Sequence, residues 1–297
     1  MLNQRTRHLP LALFFAAVAL SAGAMADESR TELSSPDSAS EQASLEQETF
    51  EHESLEQESA QTPEQATAYA AEDEAENADD SADPAKPSAQ LTPFTAHYKT
   101  AWKLGWFSID IEASRTLRQL TNGNWQLIFE ADASAAGLVE TSEFSFEDGL
   151  ITPLEYRYRG SGLINESDRT LVFTPEFKRV SDLENQQQYS NAWKDTIQDN
   201  LTYMLQAGLD LAKGDEDLKY QVFEKNRAKD FEFEVVGEEQ LNTDIGRLNT
   251  IKLRQVRKNK NRNVYAWYAI DHNYQLVRLQ DKKDGETRYQ IDITALK

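Results

Sequence analysis

The chain has 297 residues, a formal charge of −20 and no cysteine. Without thiols there is no disulfide framework, no thiolate metal site and no thiol catalysis. An acidic chain lacking a clustered positive field is also no partner for a phosphate backbone, which excludes nucleic acid.

The acidity is unevenly placed: residues 1–26 carry +2, residues 27–90 carry −17 and residues 91–297 carry −5. At the start, Arg5 and Arg7 precede an uncharged apolar run from Leu9 to Leu20, broken only by Pro10. Ala24-Met25-Ala26 then supplies a small–x–small cleavage site. This pattern predicts a signal peptide over 1–26 and an exported, soluble mature protein. No cysteine follows the run, so this leader gives no lipid anchor.

Residues 27–90 are mostly Glu, Asp, Ala, Ser and Gln. Such a segment cannot bury enough surface to offset its conformational entropy, so it reads as a disordered acidic tract. "SLEQE" recurs at Ser44–Glu48 and Ser54–Glu58, which is neither a heptad nor a solenoid period. No Asp-x-Asp-x-Asp-Gly loop is present to make a calcium site.

From residue 91 the pattern changes to alternation of period two, which marks half-buried strands. One face collects Phe107, Ile109, Ile111 and Ala113; later segments repeat this with Trp125, Leu127, Phe129, Ala131 and Ala133. Phe231, Phe233 and Val235 form another such set, and Tyr289, Ile291, Ile293 and Ala295 a fourth. Turn signals at Asn122-Gly123, Asp148-Gly149, Asp244-Ile245-Gly246 and Asp284-Gly285 separate them. The expected fold over 91–297 is mainly β: a curved antiparallel meander or open barrel of about ten to twelve strands with one packed helix. That helix is read from Ile197, Leu201, Met204, Leu205 and Leu209, with Asp195 as N-cap and Gly214 as stop. Its apolar face belongs across the concave side of a curved sheet or the mouth of an open barrel.

Near the end, "NVYAWYAIDHNYQLVRLQ" surrounds Asp271-His272 with aromatics. Adjacent residues of an extended chain point apart, so the pair reads as a turn and not as an acid–base couple. The preceding strand is apolar on both parities, which predicts burial on both faces or one face lining a cleft. Trp102, Trp106, Tyr265 and Trp267 are candidates to line such a cleft, although large aromatics are more often plain core. Arg254, Arg257, Lys258, Lys260 and Arg262 fall within nine residues at an expected hairpin tip. They are candidates for contact with an anionic surface, against the simpler reading of a solvated turn.

The order of features resembles the exported bacterial family DUF3108. It runs from "KLGWFSIDIEA" through Glu147-Asp148-Gly149 with Pro153 and the "DTIQDNLTYMLQ" helix to "IGRLNTIKL" and the Trp267–Arg278 hairpin. The resemblance covers about residues 91–297. It implies a spiral or open-barrel shape shared with periplasmic carriers of lipids and lipoproteins, and no established reaction. Leu276 stands where the family commonly has proline, and the acidic tract is extra.

The chain lacks His-x-x-x-His, Gly-x-Ser-x-Gly and Gly-Lys-Ser/Thr, so neither metal, cofactor nor nucleophile elbow is expected. The resulting expectation is a non-catalytic periplasmic protein. It would bind a lipid, a lipoprotein or an envelope protein, with peripheral membrane contact at most. A hydrolase using two carboxylates and an adapter without a cavity are the alternatives.

Overall fold

A computed structural model describes residues 90–297 except 105–106, 135, 165 and 259–260; the side chains of 101–109 are also outside the description. The leader and the acidic tract therefore lie outside the described residues.

Fifteen strands form one sheet. The first eight are β1 (Phe94–Leu104), β2 (Phe107–Gln119), β3 (Trp125–Ala133), β4 (Ala136–Glu147), β5 (Leu150–Gly162), β6 (Arg169–Thr174), β7 (Arg179–Asp182) and β8 (Gln187–Tyr189). After β9 (Ile197–Gln198) comes the helix α1 (Thr202–Ala212). Then follow β10 (Leu218–Glu224), β11 (Arg227–Thr243), β12 (Gly246–Val256), β13 (Arg262–Ala269), β14 (Gln275–Lys283) and β15 (Glu286–Leu296).

The spatial order is β8 through β1, then β15 down to β9. Two meanders thus run outward from a central β1–β15 pair, where Thr95 and Lys297 exchange backbone hydrogen bonds of 2.9 Å. Every pairing is antiparallel except β9 with β10. Among the described residues the expected β architecture with one α-helix is present. The strand count exceeds the reading because β7, β8 and β9 have only four, three and two residues, too short to display a period. Hairpin chemistry was legible. Asp148-Gly149 and Asp284-Gly285 carry positive φ at both turn positions (52° and 78°; 54° and 85°), as a type I′ turn requires.

The sheet curls until its two ends touch. Phe223 of β10 packs edge-on against Phe173 of β6, with ring centroids 6.2 Å apart, and lies 5.4 Å from Tyr189 of β8. Arg169 of β6 donates to the Lys225 carbonyl beyond β10. The helix connection closes the remaining gap. β6 pairs with β5 only from Glu155 to Tyr158, so the peptide of Ile151 has no strand partner on that side. Gln206 of α1 accepts from the Ile151 N–H (2.8 Å), and Gln198 of β9 donates to its carbonyl (2.8 Å).

Two features of the helix differ from the sequence reading. It begins at Thr202, because Ile197 and Gln198 are drawn into strand β9. Its cap is Asp199, not Asp195: Asp199 accepts from the Leu201 and Thr202 N–H groups at 2.8 and 2.9 Å. Asp195 instead makes an exposed ion pair with Lys178. Gly214 does end the helix, at φ 77°. The cap is buried and shares its surroundings with a second acid. Ser142 donates to Asp199 at 2.5 Å, and Glu140, two residues earlier on the inward parity of β4, is 2% exposed. Burial pushes both carboxyl groups up; for Glu140, from 4.5 to about 8, opposed by Tyr156 and reinforced by Asp199.

Along β11, Val235 departs from the expected inward face and is 40% exposed. A bulge between Val235 and Gly237 inserts one residue and reverses the parity. Beyond it the β11–β12 hairpin reaches across the outside of the sheet: Glu239 accepts from the Trp267 indole N–H, and Asp244 at the tip pairs with Lys99 of β1 at 2.5 Å. This overlay buries the second face of β13, as its two-sided apolarity predicted.

Replacing Gln206 by Leu strands the buried Ile151 N–H. The expected loss is about 1–3 kcal/mol in chemical unfolding, larger than for Gln240→Leu at an exposed hydrogen bond. Over the window from 4.5 to about 8 the folded chain keeps the Glu140 proton that the unfolded chain has released. Stability from this group is therefore full below 4.5 and declines as pH rises toward 8. Glu140→Gln should flatten that decline and stabilise the protein at pH 8 by a few kcal/mol, measured as unfolding midpoints across pH.

Candidate functional site

A cavity of about 290 Å³ lies where α1, the start of β1, β2 and the β13–β14 connection meet. Its walls include Leu91, Phe94, Leu117, Leu205, Leu209 and Leu276. Its rim carries the exposed residues Thr92, Asp271, His272, Asn273 and Lys297. A smaller chamber of about 50 Å³ adjoins it, with Phe129, Leu201, Tyr203, Leu279 and Ile291 in its lining. Arg115, Met204 and Leu276 line both.

The helix approaches the rim closely because residue 208 is glycine. A Cβ there would stand 2.8 Å from the Tyr274 carbonyl and 3.5 Å from the Tyr268 ring. The Asp271-His272 pair sits in a single 3-10 turn, Ile270–His272, that leads into Asn273 and Tyr274 at positive φ. Asp271 accepts from the Asn249 amide at 2.8 Å and does not orient His272 as an acid–base partner would. The turn predicted from sequence is a turn, and it forms one lip of the cavity.

Inside, the polar groups are committed to protein acceptors. The Tyr98 hydroxyl donates to the Leu276 carbonyl (2.8 Å) and accepts from Gln275 (3.1 Å); the Tyr268 hydroxyl donates to the Met204 carbonyl (3.0 Å). Burial raises the pKa of both phenols, so they stay neutral. Two groups are exceptions. Asn200 Oδ1, in the smaller chamber, has no hydrogen-bond partner. Arg115 is 6% exposed, contacts the Tyr98 hydroxyl, has no partner at Nη2, and forms no ion pair among the described residues. Its side chain points inward because it continues the parity of Ile111, Ala113 and Leu117 along β2, opposite Ala96 and Phe129. The sequence reading followed that face only as far as Ala113. The signal it passed over was a cation in phase with buried neighbours.

Two of the four aromatics proposed from sequence, Tyr265 and Trp267, are placed elsewhere. Tyr265 and Trp267 lie 6.0 Å apart, centroid to centroid, and line neither cavity. Lys252 stands 5.1 and 4.8 Å over their rings, and Arg278 is 5.8 Å from Trp267. The indole N–H, then Lys252, holds Glu239 below its usual range. These contacts make a packed cation–aromatic stack under the β11–β12 hairpin. Trp102 belongs to β1 by backbone, but its side chain, like all of Trp106, is outside the described residues.

The basic cluster is largely spent on internal partners. Arg254 pairs with Glu234, and Arg262 pairs at 2.9 Å with the buried Asp281, which also takes Arg288 at 3.3 Å. Arg257 donates to Gln255 at 2.9 Å, and burial, followed by repulsion from Arg262, lowers its pKa. Lys258 is exposed, and Lys260 lies outside the described residues.

No group of three His, Asp or Glu side chains among the described residues is placed to hold a metal. None of their helices is long and apolar enough to cross a membrane. The buried acids Glu140 and Asp199 line neither cavity.

A search of curated proteins finds no match. Among solved structures, a β-barrel-like protein of DUF1849 from Brucella abortus is similar at 8% identity and TM-score 0.48, over 70% of this chain and 98% of that one. A candidate lipoprotein from Parabacteroides distasonis is similar at 11% identity and TM-score 0.27, over 70% and 96%. A candidate exported protein with a YmcC-like fold from Bacteroides fragilis is similar at 8% and 0.27, over 69% and 95%. Likeness at this level carries no ligand or activity across to this chain. A family model is decisive where these are not: it matches residues 94–292, from the first residue of β1 to within β15. The chain belongs to DUF3108, a family described as protein of unknown function.

Proposed function

We propose that this protein is a periplasmic binding protein that holds an apolar ligand in the cavity beneath α1 and carries out no reaction. The observation that carries this reading is the cavity itself: about 290 Å³, with an apolar wall of six leucines and Phe94 and a polar side that includes Arg115, Gln275 and the rim residues. That size lies at the lower edge of small-ligand sites, and a mixed lining of this kind suits a ligand with both an apolar and a polar part. The leader pattern of residues 1–26 supports export, and the absence of cysteine after it supports a mature form free of lipid modification. A carboxylate-pair hydrolase gains no support from Glu140 and Asp199, since neither lines the cavity.

Two measurements test the proposal. Osmotic shock of cells expressing the full chain should release it with the periplasmic fraction, starting near Asp27 by N-terminal sequencing. The purified mature protein should enhance the fluorescence of N-phenyl-1-naphthylamine, and its organic extract should yield lipid by mass spectrometry. Leu209→Trp, which fills the wall, should reduce the fluorescence severalfold. Retention of no lipid together with no probe binding refutes the carrier reading.

A further inference from the structure

We propose that the cavity takes an amphiphile with an anionic head, and that Arg115 is the residue that recognises the head. This rests on the apolar-ligand reading above and adds the charge of the ligand to it.

A guanidinium taken out of water destabilises the fold unless an anion and full hydrogen bonding compensate it. Arg115 is buried, yet among the described residues no carboxylate pairs with it and Nη2 has no acceptor. The nearby polar groups carry no compensating charge. The Tyr98 hydroxyl contacts Arg115 but is neutral, the unpartnered Asn200 Oδ1 of the smaller chamber is neutral as well, and the Tyr268 hydroxyl is occupied with Met204. Asp271, the acid of the cavity lining, is exposed at the rim and bonded to Asn249. A neutralising group must therefore come from outside the fold. The apolar side of the cavity lining, six leucines with Phe94, adjoins Arg115, so the same ligand needs an apolar body. Carboxylate and phosphate both match the planar fork of the guanidinium. The shared chemistry is an oxyanion on an aliphatic chain, inserted head first.

Delipidated full mature protein is titrated calorimetrically with laurate, dodecyl phosphate and 1-dodecanol, which share one chain and differ in head. Wild type should bind at least one of the two anions ten or more times more tightly than dodecanol. A stronger response to laurate identifies a fatty-acid-like source, and one to dodecyl phosphate a phospholipid-like source. Arg115→Met should keep dodecanol binding and lose the preference for anions, whereas Arg115→Lys should keep part of it. Arg115→Met should also unfold at the same temperature as wild type or higher, since it removes an uncompensated charge. Equal affinity for all three probes in wild type overturns the anion assignment and leaves the apolar cavity standing. No binding of any probe overturns both. If Arg115→Met does not fold, the comparison of heads on wild type decides alone.

Discussion

The position of α1 depends on one peptide. Ile151 lies at the start of β5, beyond the reach of the short β6, and its N–H and carbonyl would be buried without partners. Gln206 and Gln198 supply those partners from the helix and from β9. Leaving a buried donor unmade costs more than making it gains, so this pair of bonds specifies where the helix sits more than it adds net stability. The same segment carries Asp199, whose carboxylate caps α1 and is held by Ser142 of β4. A helix seated in this way closes the curled sheet over a hollow.

Closure of the sheet also follows from covering what its outer edges would expose. Strands at an open edge present unpaired backbone, which proteins blunt with short strands or charge. Here β7, β8 and β9 shorten progressively, and the two ends meet through Phe173, Tyr189 and Phe223. On the opposite side the β11–β12 hairpin folds over β13. The aromatic pair Tyr265 and Trp267 is therefore part of an inner seam under Lys252 and Arg278. Two sets of inward polar groups result, with different consequences. Glu140 and Asp199 make a closed acidic set whose proton occupancy couples to folding. Arg115 sits at the junction of two cavities with no carboxylate beside it among the described residues and with Nη2 unpartnered.

Much of this was legible in the residues. The alternation of Trp125 to Ala131 and Tyr289 to Ile293 identified strands by a backbone constraint, since successive side chains must leave opposite faces. Asp148-Gly149 and Asp284-Gly285 identified hairpins because few residues tolerate positive φ twice in succession. The two-sided apolarity of β13 announced either burial on both faces or a cleft wall, and Asp271-His272 read as a turn for reasons of local geometry. These are short-range properties, written within a few neighbours.

What the sequence could not determine was pairing at long range. Ile197 looked helical because its spacing to Leu201 fits a helix, yet β10 captured it into a strand. Asp195 and Asp199 are equivalent caps by composition, and only burial beside Ser142 chose between them. Val235 keeps the register of Phe233, opposite the buried Leu253, yet is exposed where the bulge begins, which the alternation of the chain does not display. Arg115 is the clearest case. Its phase along β2 was visible in the chain, but whether an inward cation meets a carboxylate or a cavity depends on segments near residues 94, 204 and 276, brought together only by the curled sheet. Local chemistry set which face each side chain takes, and the tertiary structure decided what that face meets, because contacts between distant segments carry no local signature.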